Sequence, residues 1–501
     1  MYARTAGSVQ GLDSGVPLKF SRAVLVVAPL SIVLLALPAA ATSRAPEWHA
    51  AKAISLPSGA TGLPSGFLPA LSCPSAGNCS AGGSFLTGSG DVEGLVLSEV
   101  KGVWKAPTRL IPPSGADGNP SLTINSLSCA TPGTCVAVGS YEDKHSNGQS
   151  FVADEVRGVW KTSDEVTLPA GPPATAQNSE IHSVDCWSPG NCSAIGSYLD
   201  GNQPTGHAQG LEVNEVRGVW GRAQETRVPA DANVNPYVDI NQVACTHAGN
   251  CVAVGSYINR NNATEGLLIP EVKGVWRGAS AVVLPGDASA FPSAALSEVA
   301  CVSTDNCTAL GTFTDVAGAV EGMTVTETHA TWARALTMAM PSGAAANPHT
   351  FFYGYGGLTC ASIGNCSAGG QYLVGTSTYE GFFINEVHGT WHAATEMAMP
   401  AGALMAGRNG GVVAVSCRSA GNCSAGAAYV DGSGAYQALV VNEVAGQWRI
   451  GQKVTLPTGN NTVGIDGGVY GLICHATGPC TATGSYLKTS TNYEGFSVTT
   501  S

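Results

Sequence analysis

Sixteen cysteines fall into eight pairs of identical spacing, and no other feature of this 501-residue chain restricts its fold as much. The pairs are Cys73/Cys79, Cys129/Cys135, Cys186/Cys192, Cys245/Cys251, Cys301/Cys307, Cys360/Cys366, Cys417/Cys423 and Cys474/Cys480, each C-x5-C, with none left over. The residues between the members are turn formers, such as Pro-Ser-Ala-Gly-Asn after Cys73. Gly and Asn tolerate the positive φ of a tight reversal, so each pair is expected to face across a hairpin. Zinc is the competing reading, but zinc sites gather four ligands at short spacings, and no second pair or matched His lies near any of these in sequence. Eight disulfides and no metal are expected. Each bridge is expected to staple its own hairpin rather than link separate units.

The N-terminus agrees with an oxidising destination. Arg4, Lys19 and Arg22 precede an apolar run from Ala23 to Leu37, and Pro38 leads into Ala39-Ala40-Ala41. A basic start, an apolar centre and small residues at the end describe a secretory signal peptide over 1–41. An uncleaved anchor is the alternative, since Ala23 to Ala41 is nearly long enough to span a bilayer. Residues 42–501 then form one domain. Removing Arg4, Lys19, Arg22 and Asp13 takes the chain from 23 to 20 Lys+Arg and from 35 to 34 Asp+Glu, a net −14. No run of basic residues remains, which argues against a nucleic-acid partner.

A second landmark shares the period. Trp48, Trp104, Trp160, Trp220, Trp276, Trp332, Trp391 and Trp448 are spaced by 56 to 60 residues. Such a period marks repeated supersecondary units. Each unit reads as four strands: one ending at the first cysteine, one from the second cysteine to an aromatic, one after Glu or Gln, and one opening at Trp. Between the third and fourth stands a two-residue turn such as Arg157-Gly158 or Lys273-Gly274, a specific hairpin signal. The last unit stops at Ser501 before any Trp, whereas the N-terminus supplies Trp48 alone. The N-terminal strand can therefore complete the last blade. The expected fold is all-β, an eight-bladed β-propeller of four-stranded antiparallel blades closed in this way.

The unit resembles the kelch repeat, on its Gly doublets (Gly82-Gly83, Gly369-Gly370), the following Tyr, and the Trp with a later Pro. The resemblance spans 46–501 loosely and implies the propeller. The C-x5-C pairs depart from the kelch pattern and look more like those of secreted actinobacterial repeat proteins. Kelch-type copper oxidases use a Tyr–Cys cross-link, and here every Cys falls in a pair.

The repeated Trp and their partners Glu99, Glu155, Glu215 and Glu386 read as structure, because residues present in nearly every blade suit packing better than catalysis. Function is expected where the blades differ, in the connections from strand four to strand one. The richest carries His349, Phe351, Phe352, Tyr353 and Tyr355, and related segments hold Tyr237, Asp239, Arg408, Asp466 and Tyr470. Aromatics beside a few polar groups suit a glycan or peptide ligand. The competing reading is that these rings plug the channel or pack between blades. No nucleophile elbow, zinc-protease, phosphate-loop or EF-hand motif occurs, so no cofactor is expected. The chain thus reads as a secreted, monomeric binding propeller for a glycan or protein, without a membrane partner once cleaved. An extracellular carbohydrate-active enzyme and a structural cell-envelope protein are the alternatives.

Overall fold

The computed structural model describes residues 46–63, 68, 70–170, 178–201, 206–247, 249–354, 356–404, 410–457, 467–488 and 492–501. The expected leader, 1–41, lies outside them. The described residues form eight small antiparallel sheets, arranged as an eight-bladed β-propeller, and include no helix.

Blade II shows how the repeat folds. Its inner strand Thr123–Thr131 pairs with Thr134–Glu142, which pairs with Gly148–Val156. The outer edge is two short pieces, Val159–Trp160 and Asp164–Glu165, rather than the continuous fourth strand expected from the Trp. The inner strands of blades I and III to VIII are Ala70–Ser75, Ser179–Ser188, Asp239–His247, Ala295–Ser303, Leu358–Ser362, Gly411–Ser419 and Gly467–Ile473.

The core lies between successive sheets. Val136, Val138 and Val152 of blade II, for example, pack with Ile181, Val184, Leu211 and Val213 of blade III. Each such side chain contributes about 1.5–3 kcal/mol on burial. Glycine permits the closest approach within a blade: a Cβ on Gly139 would stand 1.9 Å from the Thr123 carbonyl oxygen, and Gly196, Gly255 and Gly311 repeat the situation. That steric demand explains the Gly that recurs before the Ser/Thr-aromatic pair.

The ring closes as the divided repeat requires. Lys52–Ala53 pairs with Tyr493–Thr499, Trp48 bridges Thr500, and Ser501 donates its N–H to the Glu47 carbonyl. The final sheet therefore has its outer edge covered by the start of the chain.

All eight cysteine pairs are disulfides with Cα–Cα distances near 4 Å, and no free cysteine remains. The second cysteines, Cys79, Cys135, Cys192, Cys251, Cys307, Cys366, Cys423 and Cys480, are at most 4% exposed. They are core side chains, although every bridge closes its own hairpin as expected. Strand alternation turns each of them toward a neighbouring sheet. Cys135 Sγ lies 3.4 Å from Ser80 Oγ of blade I, and Cys366 Sγ lies 3.6 Å from Thr308 Oγ1 of blade V. Cys423 meets Ser367 Oγ at 3.4 Å, and Cys480 meets Ser424 Oγ at 3.9 Å, again in the preceding blade. Cys192 joins the cluster between blades II and III, and Cys307 the one between blades IV and V. The covalent bond itself stays within one hairpin.

A second hairpin turn lies on the same side of blades I to VII. In blade II, Arg157 (φ 53°) and Gly158 (φ 79°) form a tight turn with positive φ at both positions. Gly158 N–H donates to Gly133 O of the disulfide turn, and the same Gly-to-Gly bond recurs at Gly102/Gly77, Gly218/Gly190, Gly274/Gly249, Gly389/Gly364 and Gly446/Gly421. The Asn before the second cysteine completes the latch. Asn78 Oδ1 accepts Lys101 N–H while its Nδ2 donates to Ser75 Oγ. The Asn-Cys-Ser triplets thus serve turn geometry.

Candidate functional site

Two faces result. One carries the disulfide turns and the two-residue turns; the other carries the longer connections. Bridges such as Ala116 to Asp143 and Ala288 to Asp315 join an interblade connection to the loop between the second and third strands, so both belong to this loop-rich face.

Near its loop-rich end the inner strand of blades II to V, VII and VIII carries a register shift, for example at Ile124/Ser126, Ile181/Ser183 and Ile240/Gln242. A bulge frees one residue from the ladder. Asn125, His182 and Asn241 are those residues, and all three line a cavity of about 210 Å³ in the channel. Each also reaches the next blade: Asn125 Nδ2 donates to Ile181 O at 2.9 Å, and Asn241 Nδ2 to Leu296 O at 2.7 Å. His182 Nδ1 lies 2.7 Å from Ile240 O. A carbonyl only accepts, so Nδ1 carries the proton.

Carboxylates surround this histidine. Glu180 stands 3.9 Å from Nε2 and Asp239 3.7 Å from Nδ1, with Glu180 also accepting from Asn125 Nδ2 at 2.7 Å. The Glu180 and Asp239 side chains are 45% and 58% exposed, against 24% for His182, so the carboxylates can meet solvent and ligand. Asp239 was among the residues expected from sequence. His182, Glu180, Asn125 and Asn241 were not, because they sit on three strands of three different blades and only the common bulge register unites them. Comparing the residue four positions before each first cysteine, which is Asn125, His182 or Asn241 in these blades, would have been the signal.

Blade VI departs from its neighbours. Phe351 bridges Gln371, as Ala295 pairs Thr312 in blade V, and Gly369 N–H donates to Gly357 O. Four residues, 353–356, thus stand where blade V has the single bulge residue Ser297. Gly354 and Gly356 of this insertion line the same cavity. Glu298 of blade V fixes it, accepting from Gly354 N–H at 3.2 Å and Leu358 N–H at 2.7 Å. Burial pushes the Glu298 carboxyl up to about 7, while these backbone donors and that of Gly357 pull the other way.

The remaining expected residues divide. Phe352 is 5% exposed and packs edge-on against Phe382, so it is a core side chain. This corrects its place in the expected ligand cluster: the inner-strand alternation turns Phe352 inward between two outward neighbours. Phe351 is 49% exposed and meets the half-buried Tyr353 edge-on at 5.2 Å. Tyr353 donates to Gln371 Oε1 at 2.6 Å; burial first, then Tyr436 and Tyr470, pushes its hydroxyl up to about 12. Tyr470 occupies the bulge of blade VIII. Tyr237 (φ 41°) and His349 (φ 41°) follow Pro236 and Pro348 in equivalent turns, and both are exposed. Tyr355, Arg408 and Asp466 lie outside the described residues.

The repeated Trp and Glu are confirmed as neighbours on paired strands, as in Glu155 opposite Trp160. Several Trp also join blades: Trp220 Nε1 donates to Asp154 at 3.1 Å, Trp276 to Asn214 at 2.8 Å, and Trp48 to Asn442 at 3.1 Å. Among the described residues the one grouping with metal-ligand proximity is Cys245, Cys251 and Glu271, and both sulfurs belong to a disulfide.

No family model and no curated protein matches the chain. Solved structures similar to it include a polysaccharide lyase of family PL25, an ulvan lyase (10% identity, TM-score 0.42, 90% of this chain and 95% of that one). The fucose-specific lectin of Aleuria aurantia is another (13% identity, TM-score 0.31, 66% and 96%). A third is the Hadza microbial sialidase Hz136 (10% identity, TM-score 0.36, 73% and 74%). At such identities and scores these likenesses carry nothing about the ligand or chemistry of this chain.

Proposed function

We propose that the protein is an exported, kelch-like binding propeller that recognises a glycan at the loop-rich mouth of its channel. The observation that carries this is the channel cavity in which His182 stands between Glu180 and Asp239, beside Asn125 and Asn241. Carboxylates and amides arrayed around a small concave site accept and donate to vicinal hydroxyls. Exposed Tyr237, two residues before Asp239, and Phe351, beside the inserted loop, offer rings on which a sugar face can stack. Eight disulfides support an oxidising destination. A carbohydrate-active enzyme is the second reading, favoured by two solvent-reaching carboxylates gathered on one imidazole.

The test is a screen of purified protein against glycans and cell-wall polysaccharides, beside His182→Ala and Phe351→Ala, with reducing ends assayed in parallel. Binding that falls at least about tenfold in both variants supports the site. New reducing ends lost in His182→Ala would establish the enzyme instead. No binding and no turnover with any glycan overturns both.

A further inference from the structure

Charge is segregated between the two faces in a way the linear sequence conceals. On the loop-rich side stand Asp91, Asp117, Asp143, Asp231, Asp287 and Asp431. On the disulfide side the two-residue turns of blades I to IV present Lys101, Arg157, Arg217 and Lys273, all exposed, and none has an ion pair among the described residues. The disulfide turns of the same four blades contain no Asp or Glu. Each cation is flanked by exposed valines, as Val156 (45%) and Val159 (59%) flank Arg157, and Val216 (56%) and Val219 (68%) flank Arg217. A chain with net −12 thus carries a basic, apolar-edged arc.

Clefts lie between these turns. One of about 420 Å³ separates blades I and II, and one of about 510 Å³ separates blades II and III. Arg157 borders both, and Arg217 borders the second. Their walls contain the repeated glutamates: Glu99 and Glu155 in the first, Glu155 and Glu215 in the second. These three are 1–3% exposed, and the Oε2 of each is buried without a hydrogen-bond partner. A buried acceptor without a donor is costly, and a ligand hydroxyl would relieve it. Asp154 also borders the second cleft but is engaged by the Trp220 indole.

We propose that the disulfide face of blades I to III is a second binding surface, for an anionic polysaccharide, with acid groups paired to Arg157 and Arg217 and hydroxyls donated to Glu155 and Glu215 in the clefts. The cations select a polyanion and steer it. The orphan carboxylate oxygens select hydroxyl donors, which a duplex nucleic acid does not present along its phosphates. Repetition at successive blades lets one polymer engage several clefts at once, raising avidity without a strong single contact. This surface is on the face opposite the channel mouth and does not depend on the reading given above.

The test is binding of the purified protein to polygalacturonate, with neutral dextran and duplex DNA as comparison ligands. Polygalacturonate is expected to bind and to weaken steeply with salt, while dextran does not bind. Arg157→Gln/Arg217→Gln is expected to lose roughly tenfold or more in affinity. Arg260→Gln, the same charge change at an exposed position of the loop-rich face, should lose less than about twofold. Glu155→Gln separates a built cleft from charge alone. Loss of a negative charge tightens a purely electrostatic complex, whereas a carboxylate that accepts a sugar hydroxyl makes the variant bind more weakly. Thermal midpoints of the variants, compared with the parent, exclude unfolding as the cause of any loss. Failure to bind polygalacturonate, indifference to the double substitution, equal binding of DNA or dextran, or tighter binding by Glu155→Gln each overturns the proposal.

Discussion

The disulfide face and the loop-rich face are made from the same eight repeats, yet the first is nearly identical from blade to blade and the second is not. On the disulfide face, the same two-residue turn and Gly-to-Gly hydrogen bond recur in blades I to IV, VI and VII, most of them with the same Asn side chain. The side chain at the turn tip goes from Lys or Arg in blades I–IV to His329, His388 and Ala445 in blades V–VII, and blade V keeps the same backbone bond with Ala330 and Asp305 in place of the two glycines. On the loop-rich face the backbone itself varies, as the three extra residues of blade VI show. A face with a constant backbone can present a periodic row of charges. A face with a varying backbone can build one singular pocket. The two binding surfaces inferred for this protein follow that division.

The largest expected difference concerns the consecutive rings Phe351 and Phe352 that precede the inserted loop. Phe352→Ala empties a core position between Phe382 and its neighbours and should cost about 3–5 kcal/mol, read as a lowered midpoint in denaturant. A loss under about 1 kcal/mol would mean that the site collapses freely and that this end of the ring is loosely packed.

Next comes the disulfide face. Cys129→Ser/Cys135→Ser opens a loop of sequence separation 6 and should cost about 2 kcal/mol, mainly by freeing the unfolded chain. The bridge is covalent only within its own hairpin, and beyond it Cys135 touches blade I at Ser80. The change should therefore stay local. Amide exchange is expected to accelerate in blade II and beside Ser80, and to remain slow in blade VI. Acceleration throughout the ring would show that the bridges hold the whole propeller together and would undo the picture of independent hairpins.

The repeated carboxyls beneath those hairpins should make the fold more stable in mild acid. Burial, then Asp154, pushes Glu215 up to about 7, and burial, then Asp305, does the same to Glu327. A carboxyl whose folded pKa is raised stabilises the fold below its ordinary value near 4.5, and that contribution is lost as pH rises through about 7. The thermal midpoint is therefore expected to be higher at pH 5 than at pH 8. Glu215→Gln should shrink that difference by an amount on the order of 1 kcal/mol. A midpoint that rises from pH 5 to pH 8, or a variant that titrates like the parent, would contradict this account.

Much of the disulfide face was legible in the sequence, because its determinants are local. A C-x5-C pair, a Gly at the second turn position and a Trp two residues further on need only a few consecutive residues to specify their hairpin. The depth of the second cysteines was not legible, since it depends on which sheet face the next blade covers. Ring closure was legible, because Trp48 without a unit of its own and Tyr493–Thr499 without a Trp complete each other. The channel site was legible only at Asp239. His182, Glu180 and Asn125 meet through the ring, and no local spacing signals residues contributed by different blades. Phe352 was misplaced for a related reason: three consecutive aromatics look like one cluster until strand alternation assigns the middle one to the core.

The smallest expected effect on stability is the most informative about the loop-rich face. Phe351 is half exposed and touches Tyr353 edge-on, so Phe351→Ala should change stability by no more than about 0.5 kcal/mol. Tyr353 keeps its bond to Gln371, and the insertion keeps Glu298, so the loop should hold its shape without the ring. Loss of glycan binding in a variant of parental stability would then assign the ring a contact with ligand. If stability instead falls as far as in Phe352→Ala, the pair acts as one packed unit. The varying face would then be built as rigidly as the constant one, and its aromatic loop would be a plug rather than a platform.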